Sequence, residues 1–269
     1  MRAWLSNLLI ELKLIFRDRQ TLLLTYLFPL FFLFLFSTVF GRGESKTVTA
    51  LLPGMLCISA MASGFFGLSI GLVAARERGI LRRYKIAPIN PSLLISSQLV
   101  THFLISLSTL ILQIALAHLF YGITIAGSYA NLFLMLSVGV LAFLSLGFVL
   151  ASVAESVKVA FVAANLFFFP LMFLGGAALP KSMLSPTLQT ISGLLPSTYL
   201  VEGLSQVIVN GEGLSNIVVP LVVLLLTFAA SLLIAARLFR WETFERLSWS
   251  QKSLAAAIVF IFVVAAIVT

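Results

Sequence analysis

Six stretches of this chain, at about 21–40, 50–75, 92–121, 132–153, 159–179 and 214–236, run on without a single Asp, Glu, Lys or Arg. A helix of about 20 apolar residues spans the ~30 Å hydrocarbon layer of a bilayer. Inside that layer every backbone N–H and C=O must find its partner within the protein. The runs are continuously apolar, with Gly, Ala, Ser and Phe interspersed, whereas strands of a membrane barrel read as ~10-residue alternations of apolar and polar positions. The sequence therefore specifies an all-α integral membrane protein. A seventh run, 253–269, is marginal for a span. Composition agrees: with 61% hydrophobic and 10% charged residues, a soluble core would leave much of the apolar surface in water.

The formal charge of +8 is explained by where the charges sit. Arg2, Lys13, Arg17 and Arg19 precede the first run, and Arg76, Arg78, Arg82, Arg83 and Lys85 follow the second. Lys158 follows the fourth, and Arg237, Arg240, Arg246 and Lys252 follow the sixth. Only Arg42, Lys46 and Lys181 fall on the other side. Fourteen of the 17 basic residues thus share one side, and the positive-inside rule makes that side, with the N-terminus, cytoplasmic. The expected location is a cytoplasmic (inner) membrane of bacterial type, crossed several times. The basic balance is topogenic, with anionic lipid headgroups as its partner and no role for nucleic acid. The single Cys57 lies in the second run, so no intrachain disulfide forms.

Residues 1–19 place Trp4, Leu5, Leu8, Leu9, Leu12, Ile15 and Phe16 at helical spacing, which predicts a helix lying in the cytoplasmic interface. On the second run Ser63, Gly67, Gly71 and Ala75 recur every fourth residue, a stripe of small residues that lets another helix approach closely. The spacing leaves open whether that helix belongs to the same chain or to a second copy. Residues 76–91 carry a net charge of +4 and end in Pro88 and Pro91, which stop any helix near Ala87. Residues 79–87 fit a short amphipathic helix, with Ile80, Leu81 and Tyr84 on one side and Arg82, Arg83 and Lys85 on the other. Two readings stay open: a charged loop that sets topology, or a docking helix for a cytoplasmic partner. Residues 180–213 hold Pro180, Pro186 and Pro196 among many apolar residues, which predicts one or two short helices packed at or dipping into the outer face. Gly175 and Gly176 let the backbone bend just before them.

Several kinds of chemistry are missing. The nearest approach to a phosphate-binding loop, Gly41-Arg-Gly-Glu-Ser-Lys46-Thr47, lacks the second glycine and joins two membrane runs instead of a strand and a helix. His102 and His118 stand sixteen residues apart on one run, about 24 Å along a helix, too far to share a metal. Neither a catalytic residue nor a metal ligand is expected. Ion-driven carriers keep ionisable groups in mid-membrane for function, and these runs hold no Asp, Glu, Lys or Arg. Uphill transport would draw its energy from another polypeptide, acting at 76–91.

Several motifs in order carry a resemblance. An amphipathic N-terminus leads to Tyr26-Leu-Phe-Pro-Leu-Phe-Phe-Leu-Phe-Leu-Phe36, and Leu52-Pro-Gly54 opens the second run. Glu77-Arg-Gly-Ile-Leu-Arg-Arg83 precedes Ala87-Pro88. Phe169-Pro-Leu-Met-Phe-Leu-Gly-Gly-Ala-Ala-Leu-Pro180 and Leu195-Pro-Ser-Thr-Tyr199 follow. Over about residues 1–240 the chain resembles the type-2 permeases of ATP-binding-cassette (ABC) exporters, drug and lipid branch. The resemblance implies a six-helix permease that dimerises with a second copy and rests on two cytoplasmic ATPase subunits, which carry the ATP and Mg. The permease itself binds no cofactor and has no enzymatic activity. It implies a coupling role for Glu77, Arg78, Gly79, Ile80, Leu81, Arg82, Arg83 and Tyr84. It also implies a path for an amphiphilic cargo lined by Phe28, Phe32, Asn165, Phe169 and Phe173, and an outer gate that includes Pro180, Pro196 and Tyr199.

Residues 241–269 depart from the family pattern, adding a cytoplasmic connector and a seventh span, 253–269, about 25 Å long as a helix. Rival readings are a membrane scaffold without transport and an ion-gradient-driven carrier. The orientation has a direct test. In a Cys57→Ser background, Lys46→Cys should react with a membrane-impermeant thiol reagent on intact cells, and Lys85→Cys only after permeabilisation.

Overall fold

The computed structural model describes residues 13, 19–41, 44–81 and 91–238. Most of the N-terminal interfacial segment, Arg82 to Tyr84 of the coupling segment, and the connector with its seventh run lie outside these residues. Among the described residues every regular element is helical. Helix α1 is Arg19–Val39, and α2, Ser45–Ala62, continues through a π-helical turn, Ser63–Leu68, into α3, Ser69–Glu77. Then come α4, Pro91–Tyr121, α5, Tyr129–Val153, and α6, Val157–Leu174. A 3₁₀ turn, Lys181–Met183, leads to the short α7, Pro186–Ser192, and α8, Pro196–Ile208, before α9, Leu214–Leu238.

Among the described residues, five helical segments are long and apolar enough to cross a membrane: Ser45–Glu77, Ile95–Tyr121, Tyr129–Val153, Val157–Leu174 and Leu214–Leu238. Helix α1 contributes the shorter apolar stretch Thr25–Val39. Its 21 residues would measure about 31 Å. The long helices alternate in direction. Glu77 and Val157 therefore meet at one end, here called the basic end. At the opposite end Ser45 Oγ donates to Gly122 O over 3.0 Å and Ala126 N to Ile208 O over 3.1 Å.

The core is built around α5. Of its most apolar stretch 72% is buried, against 28% for α6 and 33% for α9, so α5 is the central post and the other two stand at the periphery. It packs on α9, the π-helical turn, α4 and α8. Lipid tails are as apolar as leucine, so helix association in a bilayer rests on close contact and interhelical hydrogen bonds. The closest contact is made by glycine. A Cβ on Gly64 would lie 2.1 Å from Phe143 O, and one on Gly147 2.2 Å from Gly64 O. The two backbones touch, and no side chain fits between them. The π-helical turn lies at this crossing, with Gly64 in its first residues.

The small-residue stripe does something else. Ser63 and Gly67 fall inside the π-helical turn, which breaks the every-fourth-residue register. Nothing lies within 4 Å of a Cβ built on Gly71, and one on Gly67 reaches only Ala62 O and His102 Nδ1, both at 4.0 Å. Both glycines are exposed. The stripe is not a packing seam within the chain, because Gly64, one position over, makes the intimate crossing.

A second correction concerns charge. The second span does not stop at Ala75 but continues to Glu77, carrying Arg76, only 4% exposed, into the bundle. The helix can extend because the guanidinium finds backbone carbonyls at the end of α5. Helix α6 likewise begins at Val157 and takes Lys158 into its first turn. The helices are thus charge-free along their middles and not at their ends.

Residues 180–213 are broken by proline as expected. Pro186 and Pro196 occupy the first turns of α7 and α8, where a missing N–H is harmless. Gly64→Ala should lower the melting temperature of the solubilised protein through a clash worth more than about 2 kcal/mol, whereas Gly71→Ala should leave it unchanged or raised. Equal losses at both positions would contradict the crossing.

Candidate functional site

The basic end is organised by the last turn of α3. Arg78 N donates to Ala74 O and Gly79 N to Arg76 O, both over 3.0 Å. Gly79 has φ +70°, a left-handed conformation that ends a helix at little strain for glycine. The chain turns sharply there. Ile80 is left 40% exposed, and Leu81 is buried in the core. Arg78 is exposed, and Arg82, Arg83 and Tyr84 lie outside the described residues.

Just before this turn two neighbouring charges reach different helices. The Arg76 guanidinium donates through Nη1 to Ala151 O over 3.1 Å and through Nη2 to Ala154 O. These are carbonyls at the end of α5, where no further turn supplies donors. Glu77 Oε1 accepts from Val157 N over 2.9 Å, at the start of α6. Ser156 Oγ accepts from Val159 N over 3.3 Å at the same terminus. A cation thus meets the negative end of one helix dipole and an anion the positive end of the next. From the sequence, Arg76 opens the coupling segment 76–91 and Glu77 has a role toward the ATPase. In the structure Glu77 is exposed and also caps the chain's own loop at Val157.

The path candidates fall into two groups. Phe28 and Phe32 meet at a tilt on α1 with ring centroids 4.7 Å apart, and Phe169 and Phe173 stack on α6 at 6.4 Å. Asn165 Nδ2 donates to Phe161 O of its own helix over 2.7 Å. Phe28, Phe169 and Phe173 are exposed on the protomer surface. Helices α1 and α6 both pack against the second span, where the Phe66 ring meets Phe168 at 5.1 Å.

At the opposite end, Gly175 brings α6 onto α8. A Cβ there would lie 2.0 Å from Ser197 Oγ. A cavity of about 170 Å³ opens beside it, bordered by Gly54, Gly176, Pro180, Lys181 and Glu202. Lys181 Nζ lies 3.1 Å from Glu202 Oε1. Tyr199 OH donates to Gly193 O over 2.7 Å and Thr198 Oγ1 to Ser192 O over 2.6 Å, which lock the corner between α7 and α8. Of the three gate candidates, Pro180 borders the cavity, while Pro196 and Tyr199 build the corner.

Sequence reading also passed over Gln113. Buried in α4, it holds Ser59 Oγ at 2.8 Å through Oε1 and donates through Nε2 to Pro29 O at 3.4 Å, linking the first three spans. An amide in mid-run was the available signal, since such groups bond across helices.

Comparison with known proteins follows the same outline. The profile of the family described as ABC-2 type transporter matches residues 2–209. The protein named transport permease ycf38, of Cyanophora paradoxa, is 34% identical over 215 residues, 73% of this chain and 70% of that protein. ABC transporter G family member 20 of Dictyostelium discoideum is 24% identical over 177 residues, 66% of this chain and 24% of its own length. The protein named multidrug ABC transporter permease YbhS, of Escherichia coli, is 24% identical over 198 residues, 73% of this chain and 52% of its own length. The chain thus spans about a quarter of the Dictyostelium protein and about half of YbhS. No solved structure matches it.

The two polar contacts inside and outside the bundle should differ in a thermal melt. Gln113→Leu should destabilise the solubilised protein by about 1 kcal/mol. Lys181→Met should cost less, because Lys181 and Glu202 are 41% and 43% exposed and water screens such a pair.

Proposed function

Because this chain belongs to the ABC-2 type transporter family, as a membrane subunit of an ABC transporter, we propose that it is the permease of an ATP-driven exporter. Two copies would form the path, and two separate cytoplasmic ATPase subunits would supply the energy. The basic end is then cytoplasmic, and segment 76–91 is the coupling element. The observation that carries this reading is the turn at Gly79. It sets an exposed apolar side chain, Ile80, at the start of a segment of net charge +4, and places it directly beyond a joint that grips two further spans.

The exposed aromatic faces support the dimer. A drug- or lipid-sized molecule needs a pocket of roughly 300–1,000 Å³, and the cavity of about 170 Å³ in one protomer is smaller. A path built from the faces bearing Phe28, Phe32, Asn165, Phe169 and Phe173 would be completed by a second copy. Its apolar walls suit an amphiphilic drug or lipid, and one relative bears a multidrug permease name. ATP binding would close the ATPase pair and displace both coupling segments. The path would then open at the end where Pro180, Pro196 and Tyr199 lie.

Co-expression with an ABC ATPase encoded beside this chain should yield a membrane complex that moves an amphiphilic dye into inverted vesicles only with ATP. Replacing Ile80, Arg82 and Arg83 together by serine should weaken ATPase binding at least about tenfold, as loss of an apolar anchor with two rim charges does. Undiminished binding would remove the coupling assignment. Dye movement that follows a proton or sodium gradient and ignores ATP would favour a carrier.

A further inference from the structure

Arg76 and Glu77 lie at one of the two points where a push on the coupling segment enters the rest of the bundle, the other being the start of α4 at Pro91. Only two residues, Arg78 and Gly79, separate Glu77 from Ile80. That turn is tied by two backbone hydrogen bonds of 3.0 Å, and its far side is anchored by buried Leu81. Ahead of the turn, α3 runs back to the Gly64 crossing, where side chains have no room to give. Displacement of the turn therefore falls on whatever the last residues of α3 hold. They hold the loop between α5 and α6 from both sides, Arg76 on Ala151 O and Ala154 O, and Glu77 on Val157 N.

We propose that the Arg76–Glu77 pair is a transmission joint. It passes movement of the coupling segment to the paired ends of α5 and α6, and so to the face of α6 that bears Asn165, Phe169 and Phe173. This rests on the functional reading above and adds positioning residues to it. Neither side chain touches nucleotide or cargo. Both act by holding a loop of their own chain. The geometry suits the task because each bond runs to backbone. A side-chain partner can swing through its rotamers, whereas a carbonyl or N–H at a helix end moves only with its helix. The two charges match the ends they hold, so the loop resists displacement relative to α3 in either direction.

The test separates holding the loop from merely stabilising the fold. Glu77→Ala removes the acceptor for Val157 N, and Glu77→Gln keeps an oxygen at the same position. In proteoliposomes containing the permease–ATPase complex, transport per ATP hydrolysed should fall about tenfold in Glu77→Ala, the scale of a lost helix-cap acceptor. Glu77→Gln should restore most of it. A second arm needs no ATPase. With Cys57→Ser and Glu155→Cys in permease-only vesicles, Glu77→Ala should raise the thiol-labelling rate several-fold, because the loop is no longer held.

Transport and ATP turnover that decline together, in step with the amount of folded complex, would reduce the pair to a structural role and overturn the proposal. So would unchanged transport per ATP, or unchanged labelling at position 155. A wild-type complex with no ATP-dependent transport overturns the functional reading and the transmission with it. Faster labelling in Glu77→Ala would in that case still establish the contact.

Discussion

The backbone contact between Gly64 and Gly147 is the constraint around which the rest is arranged. In water a bundle of this composition would be driven together by its apolar surface. In lipid that drive vanishes, and helices stay together only where they touch closely enough for dispersion and polar contacts to exceed those they make with lipid. A glycine on each side of one crossing brings the second and fourth spans to backbone distance. The π-helical turn at that point locally changes the rotation of the second span, so that its halves present different faces. The half toward Ser45 packs on α1, α4, α5 and α8 and touches α6, whereas the half toward Glu77 packs on α5 and α6.

That division gives the second span two roles. Its far half adjoins the Gly175 turn, where Gly54 meets the backbone of Ala177 so closely that a Cβ would lie 2.2 Å from the carbonyl. Its near half ends in Arg76 and Glu77, which grip the loop between α5 and α6. Both ends of one span are thus in contact with both ends of α6, one through glycine and the other through charge.

The architecture was legible where it depends on local chemistry and obscure where it depends on a partner helix. Charge-free runs located the spans because insertion into lipid is decided segment by segment. Pro186 and Pro196 located the short helices because proline acts on its own backbone. The π-helical turn left no trace in the apolar pattern, since it accompanies the carbonyl of Phe143, nearly eighty residues away. The stripe of Ser63, Gly67, Gly71 and Ala75 shows the same limit: within the chain the close crossing falls on Gly64, while Gly67 and Gly71 stay exposed. Arg76 looked like any charge at the end of a span, because only the approach of α5 reveals that carbonyls await it.

Charge is where the two levels of reading meet. A buried charge in a membrane protein is tolerated when it is paired or when it performs work, and Arg76 satisfies the first condition through the carbonyls of Ala151 and Ala154. It therefore needs no mobile ion or proton to compensate it. An ion-driven carrier alternately exposes an ionisable group whose partner changes during the cycle, whereas two of the groups that hold Arg76 are backbone carbonyls at a helix end, present in any conformation that keeps that helix. On the proposed function, what a gradient supplies in such a carrier would arrive instead as displacement from the ATPase. The element best placed to receive it is the one that begins two residues beyond this pair, past the turn at Gly79.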